Sequence, residues 1–131
     1  MKVRDIMYSG EKNPVVKRDT CFREVLEVMN EKQLGAVSVI DDGKLVGIIT
    51  DGDVRRLILN TQLSLPNLFL VDVEKIMIPA PKSISADAGL EEALERLEKY
   101  EFWVLPVVDN EGKLLGMIHL HTLLKAMIQK K

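Results

Sequence analysis

Cysteine is nearly absent from the 131 residues: Cys21 stands alone, so no internal disulfide can form. It falls on an apolar helical pattern, which assigns it to packing and not to chemistry. Histidine is as scarce. His119 and His121 are the two present, and a zinc site needs about three or four ligands, so no metal is expected. No apolar run approaches the roughly 20 residues that span a bilayer. Nor is there an excess of basic charge: 18 Lys and Arg stand against 20 Asp and Glu, a formal net charge of -2. That balance argues against nucleic acid as a partner, because a phosphate backbone needs a basic face. The opening Met1-Lys2-Val3-Arg4-Asp5 places an acid where a secretion signal turns apolar, so the chain reads as cytoplasmic. No nucleophile is paired with a base and no Gly-rich phosphate loop appears, so no catalytic residue is assigned.

What the chain does have is a repeat. Gly43-Lys44-Leu45-Val46-Gly47-Ile48-Ile49 returns as Gly112-Lys113-Leu114-Leu115-Gly116-Met117-Ile118, and Val3-Arg4-Asp5-Ile6-Met7 returns as Val73-Glu74-Lys75-Ile76-Met77. The copies span 1–60 and 73–131, joined by 61–72. Leu65, Leu68, Phe69 and Leu70 make this joining segment too apolar for a free linker, so it is expected to pack on the first copy.

Each copy reads as strand, helix, strand, strand, helix. Short extended pieces lie at Val15-Val16 and Ser83-Ile84. Helices are expected to start at caps near Asp19-Thr20 and Asp87. Their apolar stripes, Phe22, Val25, Leu26, Met29 and Leu90, Ala93, Leu94, Leu97, recur at i, i+3, i+4 and i+7. Strands Ala36–Ile40 and Leu45–Thr50 flank one hairpin turn; Trp103–Val108 and Leu114–His119 flank the other. Closing helices follow from about Gly52 and Leu120. Trp103 is expected in the core or at a dimer contact, ahead of a role on a ligand. One three-stranded unit covers its core poorly, so the expected fold is α/β (α+β), two βαββα motifs packed sheet to sheet with pseudo-twofold symmetry.

The residue chemistry concentrates where a strand runs into a helix. Free backbone N–H groups at a helix start suit an anion. There Thr50 can add a hydroxyl, while Asp53 is an acceptor-only carboxylate that suits a ribose diol. The same positions also read as helix caps, Asp51 above all. The second copy has His119 for Thr50 and Thr122 for Asp53. Arg55 and Arg56 follow on the first closing helix, within reach of an acidic ligand or on a solvated face.

Gly47-Ile48-Ile49-Thr50-Asp51-Gly52-Asp53 and Leu105-Pro106-Val107-Val108-Asp109 resemble the motifs of tandem CBS domains, or Bateman modules, across essentially the whole chain. The run Thr50-Asp51-Gly52-Asp53-Val54-Arg55-Arg56 with His119-Leu120-His121 is most similar to the C-terminal CBS pair of bacterial arabinose 5-phosphate isomerases, of the Kdo pathway. The Thr-Asp-Gly-Asp stretch alone is also similar to CBS pairs of sugar nucleotidyltransferases. The resemblance implies a regulatory module without catalysis and without a required cofactor. Its expected ligand is an AMP- or ATP-type nucleotide or a CMP-sugar. It places the phosphate and ribose at Thr50 and Asp53, the base beside Val16 and Ile84, and Lys17, Asp51, Arg55, His119 and His121 nearby. It further implies a homodimer through Leu57, Ile58, Leu123, Leu124 and Met127, and a separate isomerase domain as partner. Assembly without a ligand is the alternative.

Overall fold

The computed structural model describes residues 1–129; Lys130 and Lys131, the end of the second repeat, lie outside them. The chain divides into two compact units. One is continuous, Pro14–Pro81; the other is split, joining Met1–Asn13 to the chain from Lys82 onward.

The continuous unit runs β1 (Val15–Lys17), α1 (Phe22–Lys32), β2 (Ala36–Asp41), β3 (Lys44–Thr50), α2 (Asp51–Asn60), the short α3 (Leu65–Phe69), a 3₁₀ turn Val73–Lys75 and β4 (Ile78–Pro79). Its sheet has the order β1-β2-β3-β4, with β1 parallel to β2 and the other pairs antiparallel. The split unit opens with a 3₁₀ turn, Val3–Asp5, and continues with β5 (Ile84–Ser85), α4 (Leu90–Tyr100), β6 (Val104–Val108), β7 (Leu114–His119) and α5 (Leu120–Gln129). Its sheet is β5-β6-β7, and Tyr8 bridges Met117 on the free side of β7, where β4 stands beside β3 in the other unit. Both units thus realise the strand, helix, strand, strand, helix order of an α/β protein.

Local rules explain most elements. The stripes on α1 and α4 bury Phe22, Val25 and Met29, and Leu90, Ala93 and Leu97. The β2–β3 hairpin turns on Asp42 and Gly43, at φ 51° and 80°, the two positive values that a two-residue turn of matching twist requires. Gly47 and Gly116 answer to close approach. A side chain at Gly47 would run into the Met77 thioether, and a Cβ at Gly116 would stand 2.6 Å from the Tyr8 carbonyl oxygen.

The helix caps depart from expectation. α1 and α4 begin at Phe22 and Leu90, after Cys21 and Gly89, and neither residue caps with a side chain. Cys21 therefore precedes the helix and is half-buried. The segments expected to cap are engaged elsewhere: Arg18 O and Thr20 O accept the N–H groups of Glu74 and Val73, while Ala86 O and Ala88 O accept those of Arg4 and Val3. Asp87 pairs with Arg4 across the same junction. These two 3₁₀ turns, Val3–Asp5 and Val73–Lys75, therefore each dock on the other sequence copy. Val3 joins the core with Ile84, Leu105 and Ile118; Val73 joins the core with Phe22, Val39 and Ile49. The repeats 1–60 and 73–131 describe the sequence, and the compact units redistribute their leading turns.

The joining segment packs only in part. Leu68 is buried, and Phe69 meets Phe22 with ring centroids 6.4 Å apart, but Leu65 and Leu70 are exposed. Trp103 is 70 % exposed and precedes β6, so it is no core residue.

Candidate functional site

β3 passes into α2 without a loop, so Thr50 is both the last strand residue and the helix N-cap. Asp53 stands at the third helical position, and the two form a capping box. The Asp53 N–H donates to Thr50 Oγ1 at 3.3 Å. In return Asp53 Oδ2 accepts from the Thr50 N–H and the Thr50 hydroxyl, both at 2.9 Å. Arg56 Nη2 donates to the other oxygen, Oδ1, at 2.8 Å. Gly52 leaves room for this: an added Cβ would stand 3.2 Å from the Arg56 guanidinium. Burial opposes ionisation of Asp53, but the Thr50 N–H, Arg56 and the Thr50 hydroxyl outweigh it and hold the carboxyl below its ordinary value. A carboxylate offers about four lone-pair positions and three are taken, so Asp53 can accept one further hydrogen bond.

The remaining candidates are only partly gathered here. Asp51 is the first helical residue and not the cap; Thr50 holds that place because its backbone is extended while its side chain can turn back. The Asp51 N–H donates to Gly35 O at 3.0 Å. Its carboxylate borders an open depression of about 280 Å³ with Leu26, Met29, Asn30 and Gln33. Arg55 is exposed, and Arg56 is the residue that reaches Asp53. Val16 belongs to the core. Lys17 pairs with Ile40, four residues along β2 from Ala36, the partner of Thr50. That separation is roughly 13 Å along the strand, so Lys17 stands at the far end of the sheet.

His119, His121 and Ile84 lie in the split unit. Ile84 is buried in its core. His119 occupies the position of Thr50, just before α5, and its Nδ1 accepts the His121 N–H at 3.1 Å. Burial, then the charge of His121, lowers the His119 pKa. Among the described residues no group of three or more His, Cys, Asp or Glu could hold a metal ion. Thr122 takes the place of Asp53, and its hydroxyl lies 2.7 Å from the Tyr8 hydroxyl. Sequence reasoning missed Tyr8. The signal was available, since aligning Met7 with Met77 sets Tyr8 against the apolar Ile78.

Comparison with known proteins gives the family. The model of the CBS domain matches residues 3–60 and again 73–129. The chain is a tandem pair of CBS domains. The pair is 36% identical over 129 residues to the arabinose 5-phosphate isomerase KdsD of Francisella tularensis, covering 95% of this chain and 37% of the isomerase. It is 41% identical over 127 residues to an uncharacterised protein of Helicobacter pylori, again over 37% of that protein's length. The CBS pair therefore spans well under half of these relatives. Among solved structures it resembles CBSX2 in complex with AMP, with a TM-score of 0.84 and 32% identity over 98% of this chain and 97% of that one. The CBSX2 structure from Arabidopsis thaliana gives a TM-score of 0.82 at 33% identity, over 98% and 95% of the two chains. The CBS pair is a regulatory, non-catalytic module, and what it shares with the isomerases is that module alone.

Proposed function

We propose that the CBS pair senses a nucleotide or nucleotide-sugar at the start of α2 and so regulates, or helps assemble, an arabinose 5-phosphate isomerase. The observation that carries this reading is the Thr50–Asp53 pair at the helix N-terminus. The N-terminus of α2 suits a phosphate, and beside it stands an ionised carboxylate, fixed by Thr50, with one spare acceptor position for a ribose hydroxyl. Arg56 adds a positive charge at the same spot. The AMP complex of CBSX2 supports an adenosine nucleotide, while similarity to the isomerases supports a cytidine-linked sugar. The test is thermal unfolding against AMP, ATP, GTP, CMP and CMP-Kdo, since a ligand of the folded state raises Tm by mass action. Asp53→Ala is expected to weaken the binder about tenfold to a hundredfold, as loss of one charge-assisted hydrogen bond would. A panel in which no compound shifts Tm overturns the reading.

A second reading is favoured by exposed apolar groups. Ile58 and Leu59 on α2, and Leu124 and Ile128 on α5, are 41 to 76% exposed, which suits homodimer assembly through these helices. Leu123, expected there too, is buried in the split unit's core. Light scattering that finds a monomer at high concentration rejects this reading and leaves ligand sensing intact. Among the described residues no helix is long and apolar enough to cross a membrane.

A further inference from the structure

The two helix starts are built to one plan and filled differently. Tyr8 faces Met117, and Ile78 faces Ile48; Met117 and Ile48 each lie two residues before the residue that opens the helix, His119 or Thr50. Tyr8 and Ile78 are therefore the same position in two units. In the continuous unit this position carries no hydroxyl, Ile78 is 48% exposed, and Asp53 turns to Thr50 and Arg56. In the split unit the Tyr8 phenol reaches over the first turn of α5 and bonds Thr122, the counterpart of Asp53. Tyr8 is not a loose tip. Its N–H donates to Met117 O at 2.8 Å, and its carbonyl accepts from Met117 N at 3.0 Å. Gly116 admits this backbone approach, which a Cβ would block. His119 Nδ1 accepts the His121 N–H, which engages one backbone donor of the α5 start.

We infer that Tyr8 is an internal plug of the split unit's helix start, so that the chain carries one site for a phosphate-and-diol ligand and not two. The inference rests on the ligand reading above and adds its stoichiometry and the residue that sets it. Thr122 lacks a carboxylate to accept from a diol, and a phenol from another segment holds its hydroxyl, whereas Thr50 and Asp53 hold each other and leave one carboxylate position spare.

Titration calorimetry with AMP as the probe tests this in the whole chain. The wild-type chain is expected to bind one AMP, and Asp53→Ala to lose it. The triple variant Tyr8→Ile, Thr122→Asp, His119→Thr copies the continuous unit's residues into the split unit and is expected to bind a second AMP. The reverse graft tests the hydroxyl alone. Ile78→Tyr is expected to weaken AMP binding about tenfold, the loss of one hydrogen bond to a charged group, whereas Ile78→Phe leaves it within twofold. Ile78 is exposed, so both replacements keep the fold. Two AMP per wild-type chain, or equal effects of Ile78→Tyr and Ile78→Phe, overturns the plug while leaving ligand sensing in place. If the wild-type chain binds no AMP, the ligand reading fails, and the plug, which rests on it, is overturned with it.

Discussion

Thr50, Asp53 and His119 each do structural work before any ligand is considered, and that work can be measured. Thr50→Ala removes the N-cap of α2 and is expected to cost about 0.5–2 kcal/mol in urea unfolding. Asp53 has a lowered folded pKa. Its contribution is complete above the ordinary carboxyl value of 3.8 and is lost as pH falls through the folded value. Urea midpoints taken from pH 7 to pH 3 should therefore drop more steeply for the wild type than for Asp53→Asn. His119 also has a lowered pKa, but as a base that must stay neutral. Its contribution is full above its ordinary 6.5 and declines as pH falls toward the folded value, because the unfolded chain takes up the proton first. His119→Asn should flatten the stability loss between pH 7.5 and 5; an unchanged slope would show that another group is responsible. At this scale the sequence named residues by position and left their bonds undetermined. Thr50, Asp53 and His119 stood out by position. Arg56 was seen and its partner was not, although Asp53 and Arg56 stand at i and i+3, a spacing that pairs charges on a helix face.

Elements were legible where a period exists and obscure where a partner is distant. The stripes on α1 and α4 recur at helical spacing, and those helices form over them. The starts of the same helices were misjudged by two or three residues. The capping candidates Thr20 and Asp87 serve the docking of the 3₁₀ turns instead, through the Thr20 carbonyl and the Arg4–Asp87 pair. β4 was invisible, since two residues ending in proline carry no alternation, and only pairing with Gly47 and Ile48 makes them a strand. The two glycines beside these edge segments give an element-scale prediction. Gly116→Ala drives a Cβ against the Tyr8 backbone carbonyl, which cannot swing aside, and should destabilise by about 1–3 kcal/mol. Gly47→Ala meets the Met77 side chain, whose flexible thioether can move. It should cost less, and the order of the two urea midpoints checks the argument.

For the whole molecule, the repeat in the sequence and the unit in space are different partitions, and this has a consequence for cutting the chain. The core around Phe22, Val39 and Ile49 includes Leu68 and Val73, both beyond residue 60. Residues 1–60 therefore lack two fully buried side chains of that core. They also carry Val3, whose neighbours Ile84, Leu105 and Ile118 lie elsewhere. Residues 14–81 hold the complete continuous unit, including the 3₁₀ turn, the Arg18–Glu74 and Arg18–Asp41 ion pairs, and all of the Thr50–Asp53–Arg56 network. Fragments of this size bury only about 60% of their unfolded surface and are marginal, so two missing core side chains should decide the outcome. The 14–81 fragment is expected to show more far-UV helix signal and a higher urea midpoint than 1–60, despite a nearly equal length. If 1–60 proves the more stable, the leading turns contribute little to the cores they enter, and the sequence repeat is the true folding unit.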